Sequence, residues 1–127
     1  MASEIEGATL GVLRLALDAA SLRHQIIAHN IANANTVGYA PVRVSFEEQF
    51  DALRSGLGQP RGLDAHELGE LRPVVEQERA VNGATAKVAL DLEVAKLAQN
   101  TVHYQALLRG VGRYLSIIGV AVTEGKR

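Results

Sequence analysis

The 127-residue chain has no cysteine and no tryptophan, and only two phenylalanines, three tyrosines and three prolines. Without cysteine there is no disulfide framework, no thiolate metal site and no cysteine nucleophile, and the redox compartment stays open. With so few aromatics, the chain is short of the bulky side chains that usually seal a core. An excess of charge of one sign is also missing. Thirteen basic and fourteen acidic residues leave a formal charge of −1, so there is no electrostatic footprint for nucleic acid or anionic lipid. The longest strongly apolar run, residues 117–122, is far short of the ~20 residues that cross a bilayer, and no membrane span is expected. The chain opens Met-Ala-Ser-Glu-Ile-Glu, acidic where a cleaved secretory signal needs positive charge, so export through such a signal is not expected.

What the chain does have is period. Leu10, Leu13, Leu17, Ala20, His24, Ile27, Ile31 and Ala34 recur in steps of three and four residues, which winds an apolar seam around a helix. Leu90, Val94, Leu97, Thr101, Tyr104, Leu108, Val111, Leu115, Ile118 and Val122 repeat the pattern near the other end. The two seams are expected to pair within one chain, giving a mainly α fold: long N- and C-terminal helices in an antiparallel coiled-coil hairpin. A second stripe, Val12, Leu15, Ala19, Leu22 and Ile26, lies about 200° round the first helix, and Leu107, Gly110, Tyr114, Ile117 and Ala121 lie off the main seam of the second. A helix that is apolar on opposite faces must be covered on both. The expectation is that Val12, Leu15, Leu22, Ile26, Leu107, Tyr114 and Ile117 meet other protein. A compact four-helix bundle is the competing arrangement.

The middle is irregular. Asn30, Asn33, Asn35 and Gly38 suit a helix C-terminus and turn. Val42, Val44 and Phe46 alternate with polar residues behind Pro41, as in a short edge strand. Ser45-Phe46-Glu47-Glu48 has the form of a capping box opening a short helix, with Gly56 as its stop. Residues 55–71 fit no period and read as loop. Residues 72–76 read as a second extended piece pairing with 42–46, and Asn82-Gly83 as a turn. The expected organisation is one domain: helix 4–34, turn 35–41, β segment and helix 42–55, loop 56–84, helix 86–122.

Chemistry is sparse. Of the four histidines, His24, His29, His66 and His103, no two have the spacing of helical metal ligands. His24 falls on the seam and reads as a core or interface histidine. The glycines Gly56, Gly58 and Gly62 have the wrong spacing for a dinucleotide loop. No catalytic set emerges, and no enzyme, cofactor, metal, nucleic acid or small-molecule substrate is expected.

The string Asn30-Ile31-Ala32-Asn33-Ala34-Asn35-Thr36-Val37-Gly38-Tyr39 resembles the signature at the end of the N-terminal helix in the bacterial flagellar axial family of rod and hook proteins. Val37 stands where that family usually has Pro. Ala95-Lys96-Leu97-Ala98-Gln99-Asn100-Thr101 and Tyr104-Gln105-Ala106-Leu107 are similar to the proximal-rod branch. The resemblance implies a coiled coil of terminal helices in a tubular assembly, with Asn30, Asn33, Asn35, Gly38 and Tyr39 as the family motif. Leu10, Leu13, Leu17, Ile27, Ile31, Leu97, Tyr104, Leu108, Val111 and Leu115 then form the intramolecular seam. It also implies a structural role in the periplasmic rod of the basal body, and export without a cleaved signal through the flagellar type III apparatus. The implied partners are other rod subunits, copies of itself, a FliE-type adaptor and the MS-ring protein. A cytosolic helical adaptor or export chaperone, holding a client on the same stripes, is the alternative.

Overall fold

The computed structural model describes residues 2–56, 65–80 and 86–125. Its order is α1 (Ala2–Ala32), β1 (Val42–Ser45), α2 (Glu47–Gly56), α3 (Ala65–Glu70), β2 (Val74–Gln77) and α4 (Leu90–Gly125). The two long helices form the expected hairpin. They run antiparallel: Asn100 of α4 reaches the Ala20 carbonyl while Glu93, one heptad earlier, reaches Asn30 further along α1. Asp91 and Glu93 sit in the first turn of α4, where carboxylates complement the helix dipole.

The extended pieces pair as an antiparallel ribbon with Val42 opposite Gln77, Arg43 opposite Glu76, Val44 opposite Val75 and Ser45 opposite Val74. Arg43 and Glu76 add an ion pair across it. Residues 65–70 form α3 where the sequence suggests loop, because fewer than two turns are too short to show a period. The Asn82-Gly83 turn and the 126–127 tail lie outside the described residues.

The middle of the chain covers one face of α1. Phe46 and Leu71 are buried with Ala19, and Val12, Leu15 and Phe50 pack against them, Phe46 and Phe50 stacking with centroids 6.4 Å apart. Burying one such side chain contributes about 1.5–3 kcal/mol. Val12 and Leu15, expected to meet other protein, are partly covered within the chain and stay half-buried. Their cover comes from the same chain, through Phe46 and Leu71, whose approach depends on the fold of the middle and leaves no periodic trace.

Helix α4 is the less covered element. Its most apolar 18-residue window has mean hydropathy 1.3 and no buried residue, so by length and composition alone it is long and apolar enough to cross a membrane. The expectation of no span rested on an uninterrupted run, and a windowed average tolerates scattered polar residues. Here the apolar surface follows from a helix whose partner covers one side only.

A motif clamp and an exposed apolar column

Asn30 is 1% exposed and uses its whole amide. Its Oδ1 accepts from the Tyr39 hydroxyl at 2.6 Å and from the Val42 N–H at 3.0 Å. Its Nδ2 donates to the Val42 carbonyl at 2.8 Å and to Glu93 Oε2 at 3.1 Å. The amide therefore pairs with Val42 as a neighbouring strand would, while holding α4 with its remaining bond. A buried polar group is tolerated only when so satisfied.

The remaining motif residues shape the exit from α1. Asn33 donates from Nδ2 and from its backbone N–H to the His29 carbonyl at 2.9 and 3.1 Å, satisfying one of the carbonyls left open at a helix end. The Tyr39 N–H donates to the Thr36 carbonyl at 3.2 Å, closing a four-residue turn with Gly38 third at φ +77°. That is the type II pattern, which needs positive φ at its third residue and favours Pro at its second. The second residue is Val37, which is fully exposed. Tyr39 rests edge-on against His29, centroids 5.5 Å apart. Burial, with Glu93 nearby, raises its phenol above the ordinary tyrosine value. Asn35 is exposed.

Glu93, 2% exposed, also accepts from Lys96 Nζ at 3.2 Å, and Lys96 reaches Glu78 at 2.8 Å. Desolvation would lower the Lys96 ammonium, but its bonds to Glu78 and Glu93 outweigh that and hold it above the usual lysine value. Arg23 Nη2 donates to Glu47 Oε2 at 2.8 Å and to the Val44 carbonyl at 3.3 Å. Desolvation would raise Glu47, yet the Arg23 bond, a backbone hydrogen bond and the nearby positive charge hold it below the usual carboxylate range. The Ser45 hydroxyl donates to Glu48 Oε2 at 2.8 Å, so the expected capping box is a side-chain pair.

Arg23, Ile27, Val44, Lys96, Asn100 and His103 line an open cleft of about 760 Å³ between α1, β1 and α4. Among the described residues no group of three or more His, Asp or Glu is placed to hold a metal ion.

The expected seams are only partly the buried ones. Ile27 is buried, and Leu10, Leu13, Leu17 and Ile31 are half-buried on α1, but His24 is exposed, which removes the core half of its core-or-interface reading. On α4, Leu97 and Val111 are half-buried, whereas Leu108 and Leu115 are 48% and 50% exposed and Tyr104 is near the surface. Leu107 and Tyr114, expected outside the hairpin, are half-buried instead, as are Leu22 and Ile26 on α1; Ile117 is exposed. The sequence missed Glu93 and Asn100, the two buried residues of α4. Glu93 and Asn100 are spaced by a heptad, but polar letters are not counted in an apolar search.

The family model described as "Flagella basal body rod protein" matches residues 10–39, the second half of α1 and the motif turn included. The chain is 28% identical over 123 residues to the flagellar basal body rod protein FlgB of Bacillus subtilis (strain 168), covering 93% of this chain and 95% of that protein. It is 26% identical over 120 residues to the FlgB of Borreliella burgdorferi, covering 84% and 89%. A motif clamp at the end of a long helix, the match across that segment and relatives similar along nearly their whole length agree: the chain is similar to the flagellar basal body rod proteins.

Proposed function

We propose that the chain is a structural subunit of the proximal rod, polymerising with itself and with other rod subunits through its terminal helices. The observation that carries this reading is an apolar column on α4. Val94, Leu108, Leu115 and Val122 are 48–55% exposed in a chain similar along most of its length to rod proteins. Single exposed apolar residues need no explanation, whereas a column of them at heptad spacing, interrupted only by Thr101, is the kind of surface that becomes an interface.

In this proposal the hairpin is held by the clamp and by the contacts of α1, while the α4 column, with Ile117 beside it, is filled by neighbouring subunits. This moves Leu108 and Leu115 from the intramolecular seam to the assembly surface. The subunit works by packing, without bond-making chemistry. Export through the flagellar type III apparatus, residence in the periplasmic rod, and contacts with a FliE-type adaptor and the MS-ring protein complete the reading.

The test replaces Leu108→Ser together with Leu115→Ser. Both side chains are already half in water, so the isolated fold should survive, whereas truncating a Leu buried in an interface typically costs ~2–5 kcal/mol. The expected result is a stable, exported protein that builds no rod, with the exposed control Gln105→Ala building rods normally. Normal rods and motility from the double variant would refute the assignment of this surface.

A further inference from the structure

Helix α4 divides into three columns at heptad spacing. The middle one, Leu97, Tyr104, Val111 and Ile118, is half-buried apart from Tyr104, which lies near the surface. On one flank lie Glu93, Asn100, Leu107 and Tyr114, the first two buried and the others half-buried. On the other flank lie Val94, Thr101, Leu108, Leu115 and Val122, all exposed.

Middle column plus either flank makes a complete heptad seam, and the two seams differ by a rotation of about 50° about the helix axis. The exposed flank is the more apolar, so hydrophobic burial alone favours turning it inward. The flank facing α1 contains a carboxylate and a carboxamide, which burial penalises unless each is bonded. Both are: Glu93 accepts from Asn30 at 3.1 Å, and Asn100 donates to the Ala20 carbonyl at 2.8 Å.

We propose that α4 carries two competing packing registers and that the Asn30–Glu93 and Asn100–Ala20 bonds select the one that turns the more apolar flank outward. The motif asparagine thereby becomes a positioning residue for a surface on another helix. Its amide is fixed in place by Tyr39 and Val42 and can donate to Glu93 in only one rotation of α4. A single buried polar residue setting the register of a coiled coil is an established device. In this chain two of them, one heptad apart, oppose the apolar pattern. The inference goes beyond the rod reading and does not rest on it, since it concerns the single chain.

The chain has no native cysteine, so single cysteines report rotation directly. Leu107→Cys and Leu108→Cys are compared for reaction rate with a maleimide in the dilute, full-length monomer. With the native polar pair, Leu108→Cys should react on the order of tenfold faster, as its greater exposure requires. In a background of Glu93→Leu with Asn100→Leu, the ratio should fall to one or invert, while Gln99→Leu, an exposed neighbour, leaves it unchanged. A native-like ratio in the double background with helix content retained overturns the proposal. If the double variant loses helix by circular dichroism, Asn100→Leu alone is used: a ratio shifted toward one supports the proposal and an unchanged ratio overturns it. Loss of helix in both variants also overturns it, because the polar pair would then hold up the fold without choosing between two registers.

Discussion

Asn30 and Glu93 lie 63 positions apart in the chain and 3.1 Å apart between Nδ2 and Oε2, both shut off from solvent. One bond thus ties the end of the first helix to the start of the last. Removing Asn30 strips the Val42 N–H and C=O, the Tyr39 hydroxyl and Glu93 of a partner together. Since each stranded buried group costs about 1–3 kcal/mol, Asn30→Ala should lower unfolding free energy by several times what Tyr39→Phe does. Urea denaturation of the two variants checks this, and equal losses would contradict the clamp.

The turn after α1 offers a gain. Val37 is fully exposed at the second position of a type II turn, where Pro is favoured. Val37→Pro should stabilise the chain by about 0.4–1 kcal/mol by restricting the unfolded state. Gly38→Ala should destabilise it by roughly 1–2 kcal/mol because φ is +77° there. Opposite shifts in thermal midpoint are the expected outcome.

Glu47 has a folded value below that of the free carboxylate. Its contribution is therefore complete above the unfolded value and lost as pH falls through the folded one. Glu47→Gln should flatten the acid limb of the stability profile slightly, since the side chain is more than half exposed and water screens the pair. Lys96 is raised, so its contribution is present at neutral pH and disappears as pH climbs through the folded value. Lys96→Met should remove that alkaline loss while lowering stability at pH 7.

Order should be uneven along the hairpin. Ala19, Ala20, Ile27, Asn30, Glu93 and Asn100 are buried, whereas residues 112–125 of α4 are exposed apart from Tyr114 and Ile118. Hydrogen exchange on the dilute monomer should be slow at 19–31 and 93–103 and fast at 112–122. Uniform slow exchange through residue 122 would mean that the far half of α4 has cover within the chain.

The long helices, the ribbon and the motif turn were readable from the sequence because each rests on local signals: the heptad, alternation behind Pro41, and Asn-Gly chemistry. The facing of α4 was not. Counting apolar letters selects Leu108 and Leu115, while the structure buries Glu93 and Asn100, whose partners lie 63 and 80 positions away. The partial cover of Val12 and Leu15 within the chain was illegible for the same reason. Their cover, Phe46 and Leu71, belongs to segments whose docking no period announces.

One feature of the ribbon bears on how such a chain survives at high concentration. Three backbone groups of β1, the Val42 N–H and C=O and the Val44 C=O, are taken by the side chains of Asn30 and Arg23. An open strand edge is a template on which further chains add by backbone pairing, the route to cross-β aggregates. With those groups occupied from within, addition of a further strand to β1 is disfavoured, and contact on that side of the ribbon is left to side-chain surfaces. In the proposed assembly this favours selective contacts, because shape and rotation of a helix face are specified by sequence whereas a bare strand edge accepts almost any extended segment.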